Sequence, residues 1–455
     1  MQILTIETSS LGDRSYLVHD GTSAAVIDPQ RDIDRIEALL DEHGLRLEAV
    51  FETHVHNDYV TGGLELSRRH DAAYHLNGGD DLAFAYTPVA DGDEVQVGDF
   101  TIRALHTPGH TPNHMSYVAN DGSADRAVFS GGSLLFGSVG RTDLVAADLT
   151  EDLTRAQHRS ARRLAAELDD TVEVRPTHGF GSFCSSGETS GEDTSTIGAE
   201  RRENQALTIT DEDEFVRTLI AGLDAYPTYY AHMAAINRSG PVDVDLSPVE
   251  PVDTTELLRR IHAGEWIVDL RNRSAFAREH VTGTINIEYA DNSSTYLGWL
   301  IPWGTPVTLL ADSQAEIDDL QRQLVRIGID RPAGRFDGGM DSVGEEAARN
   351  SYAIADYEAL RDALDQRDDV VVLDTRRNLE WDEAHLPMAV HVPLHDLEDR
   401  LDEIPAGEIW VHCASGYRAS IATSLLERAG RRVVLVDAEF DTDAGKFFDL
   451  ETSSR

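Results

Sequence analysis

Two stretches of the chain carry residue types at spacings that chemistry can use. In "ETHVHNDYVTGG" (52–63), His54, His56 and Asp58 alternate at the end of an apolar run. Side chains of a strand alternate faces, so the two histidines point the same way as the strand ends, and Asp58 can reach the same space from the loop. His110 in "HTPGHTPNH" and His178 in "RPTHGFG" also follow runs that read as strands. Imidazoles and a carboxylate gathered at strand ends suit a transition metal. A chance set of surface or core histidines is the bland alternative, and it leaves their shared position at strand ends unexplained.

The second stretch is "EIWVHCASGYRASIATSLLERAG", a strand, a loop and a helix closed by Gly430. Cys413 ends the strand. The loop N–H groups and the helix N-terminus make a positive hollow that suits an anionic sulfur, and Arg418 adds a fixed charge. Cys413 therefore reads as an activated cysteine rather than an inert packed one. The other cysteine, Cys184 in "HGFGSFCSSG", lies six residues after His178. It reads as a second sulfur carrier at the metal mouth or as a plain packed thiol.

These residues need elements to hold them. "SYLVHDG" and "SAAVIDP" read as a hairpin turning at Asp20-Gly21, and "RDIDRIEALLDEHG" as a helix ended by glycine. "LEAVFETH", "GDFTIRALHTPGH", "DRAVFSGGS" and "VEVRPTHG" read as strands ending in special residues. "TEDLTRAQHRSARRLAAEL" is an amphipathic helix, and "SSGETSGEDTSTIG" (185–198) a polar loop. The three-proline run "NRSGPVDVDLSPVEPVD" (237–253) is a linker. Beyond it, "IVDLRNRSAFAREHVTGTINI" recurs as "VLDTRRNLEWDEAHLPMAVHV" at an offset of 105 residues. The expected division is 1–243, 251–345 and 351–455, with both repeats α/β.

Length and charge set outer bounds. A chain of 455 residues calls for several domains. Acidic residues number 82 against 39 basic ones, giving a net charge of -43, and Lys446 is the one lysine. Dispersed carboxylates of this kind resemble the surfaces of extreme halophiles, which self-repel at low salt. They argue against nucleic acid and anionic membranes as partners. No apolar window is long enough for a transmembrane helix, and "MQILTIETSS" has no basic leader, so a cytoplasmic location is expected. A homo-oligomer is compatible with all of this.

Taken together, "THVHND", "TPGHT" and "PTHG" resemble the metallo-β-lactamase fold, and "VGRTDL" (139–144) its persulfide dioxygenase and glyoxalase II branch. That resemblance implies an αββα sandwich with His54, His56 and His110 as first-site ligands and Asp58 and His178 at a second site. The family's second-site histidine is here Tyr59, and its bridging aspartate is here Gly132 in "FSGGSLL". One transition metal ion at most is therefore expected. Three histidines suit Zn(II) and hydrolysis, whereas two histidines and a carboxylate suit Fe(II) and oxygen chemistry. If the ion is iron with oxygenase activity, restoring an aspartate at Gly132 is expected to strengthen metal retention.

The four residues between Cys413 and Arg418 (Ala414, Ser415, Gly416, Tyr417) match the rhodanese family, whose loop cradles a cysteine persulfide. Asp374 and Arg376 fall on structural, salt-bridging positions of that family. The first repeat shares the upstream signatures but has no cysteine, which implies a scaffold or docking unit. The whole chain thus resembles fusions of a persulfide dioxygenase with a sulfurtransferase. The implied substrates are low-molecular-weight thiol persulfides, with thiosulfate or sulfite as donor or product. The alternatives are a thioester hydrolase of the glyoxalase II type, or a sulfurtransferase with a degenerate metal domain.

Overall fold

The computed structural model describes residues 1–186 and 193–453. Part of the polar loop at 185–198, residues 187–192, lies outside the described residues. The chain divides into two compact units, Met1–Asp245 with Gln323–Gly328, and Leu246–Arg322 with Ile329–Arg455.

The first unit holds two six-stranded sheets. One runs in the order Gln2–Thr8, Asp13–His19, Ser23–Ile27, Arg46–Phe51, Ala73–Asn77, Thr87–Val89. The other runs Ser195–Thr196, Glu173–Pro176, Asp125–Gly131, Met115–Asn120, Phe100–His106, Glu94–Val97. Alternation along the strands builds the layers. Tyr16 and Val18 join Phe51, Phe100, Tyr117 and Phe129 in a core drawn from both sheets. Leu17 and Val26 face the other way, onto Ile36 and Leu40 of helix Asp34–His43. Val118 and Val128 likewise pack on Ala161 and Leu164 of helix Thr150–Glu167. The result is helix, sheet, sheet, helix. The Asp20 turn forms as expected, its carboxylate accepting from the N–H groups of Thr22 and Ser23 at 2.8 Å each.

The second unit contains the two repeats. The first has four parallel strands, in the order Ile285–Asn286, Trp266–Asp269, Val307–Ala311, Gly334–Asp337. The second has five, Ala353–Ala355, Arg432–Val436, Glu408–His412, Val370–Asp374, Val390–His391, also parallel. The repeat extends to side chains. Arg271 pairs with Asp269 at 2.6 Å, and Arg376 with Asp374 at 2.7 Å. His280 lies flat on Phe276 and His385 on Trp381, with ring centroids 3.9 and 3.8 Å apart.

Candidate active sites

His54 and His56 follow strand Arg46–Phe51, His110 follows Phe100–His106, and His178 follows Glu173–Pro176. All four are buried, and their rings crowd together. Centroids are 4.0 Å apart for His54 and His56, 4.7 Å for His54 and His110, and 5.2 Å for His110 and His178. In each ring one nitrogen is tied outward. His110 Nδ1 donates to the Arg141 carbonyl at 2.7 Å. His178 Nδ1 donates to Asp13 at 2.9 Å, with Asp58 at 3.2 Å. His56 Nε2 lies 3.2 Å from both Asp28 and Glu52. His54 Nδ1 meets Thr53 Oγ1 at 2.9 Å, and that hydroxyl donates to Asp28.

Outer contacts of this kind fix the tautomer and leave the inner nitrogen as a lone-pair donor. His110 Nε2 and His56 Nδ1 are buried without a hydrogen-bond partner, and the Nε2 atoms of His54 and His178 are 3.5 Å apart. Such orphaned donors are costly unless something binds them. Donor atoms of His54, His56 and His178 lie within 4.8 Å of one another, as do those of His110, His178 and Cys184. These residues fit a transition metal ion.

The electrostatics divide the four imidazoles: His54 and His110 are held neutral, whereas His56 and His178 are held protonated by carboxylates and must release a proton to bind an ion. Burial, aided by the neighbouring His178, lowers His110 to about 3, and burial next to His56 holds His54 well below its usual range. Both are neutral, as ligands must be. Against burial, Asp28 and Glu52 raise His56 to about 9, and Asp58 and Asp13 hold His178 well above its usual value. Burial and the facing Asp58 raise Asp13 to about 7. Burial, with Asp58 and Asp13 adding to it, also pushes the Cys184 thiol well up.

Tyr59 and Gly132 have physical explanations. The buried Tyr59 ring stacks on His56 at 4.2 Å, with its hydroxyl 2.8 Å from His56 Nε2, so it buttresses the imidazole. A Cβ on Gly132 would lie 2.4 Å from His110 Cδ2. The expectation that an aspartate there would help metal retention is therefore corrected: its side chain would displace His110.

Beside the cluster opens a cavity of about 440 Å³, lined among others by Asn57, Thr111, Asn113, Tyr226, Tyr230 and Arg238.

Cys413 is buried at the end of strand Glu408–His412, and its Sγ accepts from the Ala419 N–H at 3.3 Å. Gly416 precedes helix Tyr417–Arg428 with φ +86°, a left-handed turn in which a Cβ would strike Asp437. Arg418 is held by Glu380 through two contacts of 2.6 Å. The cysteine-less repeat seats this loop. Its Arg273 donates to Asp437 at 2.8 Å and to the Ser415 carbonyl at 3.4 Å, and the Tyr417 hydroxyl donates to the Glu288 carbonyl at 3.0 Å. Tyr296 and Trp299 line a small cavity with Arg377, His395 and Arg418, and Trp299 stacks on His395 at 4.9 Å.

Strand register shows what the first repeat carries in place of the cysteine. Asp269 pairs with Leu310 as Asp374 pairs with His412, so Ala311 stands where Cys413 does. A fixed offset of 105 would have pointed to Thr308. Five residues after Ala311 comes Glu316, whose carboxylate accepts from the Ser313 N–H at 3.2 Å. The first repeat thus places a negative charge at the start of the helix where the second opens an anion hollow.

The family model for the metallo-beta-lactamase superfamily matches residues 13–178, and that for the rhodanese-like domain matches 253–346 and 356–441. The mitochondrial persulfide dioxygenase of Homo sapiens is 30% identical over 213 residues, 47% of this chain and 75% of its own length. The chain belongs to the metallo-beta-lactamase superfamily and carries two rhodanese-like domains.

A hydroxyacylglutathione hydrolase of Rhodopseudomonas palustris is 38% identical over 131 residues, so the chain spans about half of that relative, 49%, and 28% of itself is matched. A crystal structure titled as a metallo-beta-lactamase from Staphylococcus aureus superposes with a TM-score of 0.66 at 28% identity, over 74% of this chain and 98% of that one. Within the metallo-beta-lactamase domain, sequence reasoning passed over His114, Asp13, Asp28 and Glu52. His114 Nε2 accepts from the Gly132 N–H at 3.0 Å, so it braces the glycine and is not free to bind an ion. Its signal was the third histidine of "HTPGHTPNH". Within the second rhodanese-like domain the residue passed over was Glu380.

Proposed function

We propose that the chain is a sulfur-metabolism enzyme in which metal-dependent oxidation of thiol persulfides is coupled to sulfur transfer through Cys413. The observation that carries this reading is the Cys413 cradle, present on one chain with a cluster of imidazoles whose inner nitrogens are bare. In the transfer step the Cys413 thiolate attacks the outer sulfur of thiosulfate. The S–S bond breaks, sulfite leaves with its electron pair, and a persulfide remains on Cys413. The Ala419 N–H faces that sulfur. An acceptor thiolate then takes the outer sulfur and restores the Cys413 thiolate.

In the metallo-beta-lactamase domain, His54, His56, His110 and His178 are the residues that would hold the ion. A bound Fe(II) would supply oxygen chemistry, and a bound Zn(II) a nucleophilic water. Asp28, Glu52, Asp13 and the Arg141 carbonyl hold the tautomers, and the adjoining cavity gives a small thiol derivative access. The human relative named persulfide dioxygenase supports oxidation.

One observation favours the second reading, thioester hydrolysis. The space at Gly132 is filled by His110, so that position cannot supply the carboxylate of a two-histidine, one-carboxylate set. Parallel assays on metal-analysed protein separate the two. Oxygen uptake with glutathione persulfide, and no cleavage of lactoylglutathione, is the expected result. Thioester cleavage without oxygen uptake would replace the reading with the hydrolase.

A further inference from the structure

The imidazoles bring a metal ion no negative charge and Gly132 brings none, while the neighbouring carboxylates face the outer nitrogens, Asp13 and Asp58 at His178 Nδ1 and Asp28 and Glu52 at His56 Nε2. A buried thiol stands beside them. Donor atoms of His110, His178 and Cys184 lie within 4.8 Å of one another, and all three residues are fully buried. His110 Nε2 has no hydrogen-bond partner. Cys184 Sγ meets the Tyr230 hydroxyl at 3.9 Å, a weak contact, and Asp58 is a second polar neighbour of the thiol.

A single residue positions both groups. The Arg141 carbonyl accepts from His110 Nδ1 at 2.7 Å, while the Arg141 N–H donates to the Cys184 carbonyl at 2.8 Å. A bridge between Gly140 and Ser185 continues that pairing, and the Arg141 guanidinium donates to the Phe183 carbonyl at 3.1 Å. The run "VGRTDL" therefore acts as a template that fixes the thiol and the orphaned imidazole relative to each other. These contacts fix the main chain on which the thiol stands.

We propose that Cys184 is a metal ligand: its thiolate, with His110 and His178, holds the ion and supplies the anionic donor that position 132 lacks. The inference rests on the reading that this domain binds a metal. On binding, Cys184 loses its S–H proton and His178 its second ring proton, both to solvent, as the metal–sulfur and metal–nitrogen bonds form; no oxidation state changes. Thiolate and imidazole together suit Zn(II), Fe(II) or Co(II) and disfavour Mg(II) and Ca(II). A thiolate engaged in this way is not free to carry sulfur.

The test uses full-length protein carrying Cys413→Ser. With two cysteines in the sequence, Cys184 is then the sole thiol. Reconstitution with Co(II) should give visible ligand-field bands together with a near-ultraviolet thiolate-to-cobalt charge-transfer band. Adding Cys184→Ser should abolish the charge-transfer band and weaken zinc retention against a chelator by at least about ten- to a hundred-fold, the loss that changes in partners behind a ligand already cause. X-ray absorption of the zinc-loaded single variant needs no change at Cys184, and should show a sulfur neighbour at about 2.3 Å. Ligand-field bands without charge transfer, or a zinc shell without sulfur, would overturn the thiolate assignment alone. No uptake of either ion would overturn it together with the metal reading.

Discussion

Arg418 donates to both carboxylate oxygens of Glu380, at 2.6 Å each, so the cation in the Cys413 loop is already shared with an anion from a neighbouring helix. Burial works against ionising Glu380, but Arg418 outweighs it and lowers the carboxyl to about 2 from an ordinary 4.5. A pKa depressed in the folded state stabilises fully above the unfolded value, and that stability is lost as pH falls from about 4.5 toward 2. Glu380→Gln should therefore cost on the order of 2 kcal/mol at neutral pH. Urea unfolding across the acid range should show the gap to wild type closing. A gap that stays constant with pH would remove the ion pair from the account.

Cys413→Ser should reduce thiosulfate sulfurtransfer to background. The metal content should be unchanged, because the imidazole cluster lies in the first unit. Residual transfer at the wild-type rate would move the role to Cys184.

Gly132→Asp should lower metal retention rather than raise it. Its Cβ meets the His110 ring, and forced overpacking of this kind costs about 1–3 kcal/mol. Metal analysis after dialysis, beside a thermal melt, reads both effects. His54→Ala is the companion and should empty the site without the steric penalty.

Trp299→Ala should weaken sulfurtransfer although the residue belongs to the cysteine-less repeat. It lines the cavity at Arg418 and stacks on His395. The variant should raise the thiosulfate KM several-fold, and Trp299→Phe should restore most of it. Unchanged kinetics in both would leave the first repeat without a part in the site.

Stability should rise steeply with salt. With a net charge of -43, repulsion in dilute buffer is screened only over about 10 Å at 0.1 M, against about 3 Å at 1 M. Equal melting temperatures in dilute buffer and in molar KCl would end the halophile reading.

What the sequence shows plainly is what local order encodes. His54, His56, His110 and His178 could be gathered in advance because each directly follows a strand, and strand ends of one sandwich share a rim. The Cys413 loop was legible for the same reason, being one unbroken strand, loop and helix. The partners that set protonation were not, since Asp13 lies 165 residues from His178 and Glu380 lies 38 from Arg418. Position 132 shows the deeper limit. Its glycine looked like a simple loss of a ligand, yet the space is taken by the His110 ring. A fixed offset of 105 reaches Thr308 rather than Ala311, because the connection from Asp269 to Ala311 runs three residues longer than that from Asp374 to Cys413.

The strand pairing bears on what the first repeat could become. It carries Ala311 where its sibling carries Cys413, and Glu316 at the spacing of Arg418. A lone Ala311→Cys change would create a thiol facing an anion rather than a transfer site. Gaining the chemistry would demand at least two coordinated changes, the first without benefit. Such a copy is held to what it lends its sibling.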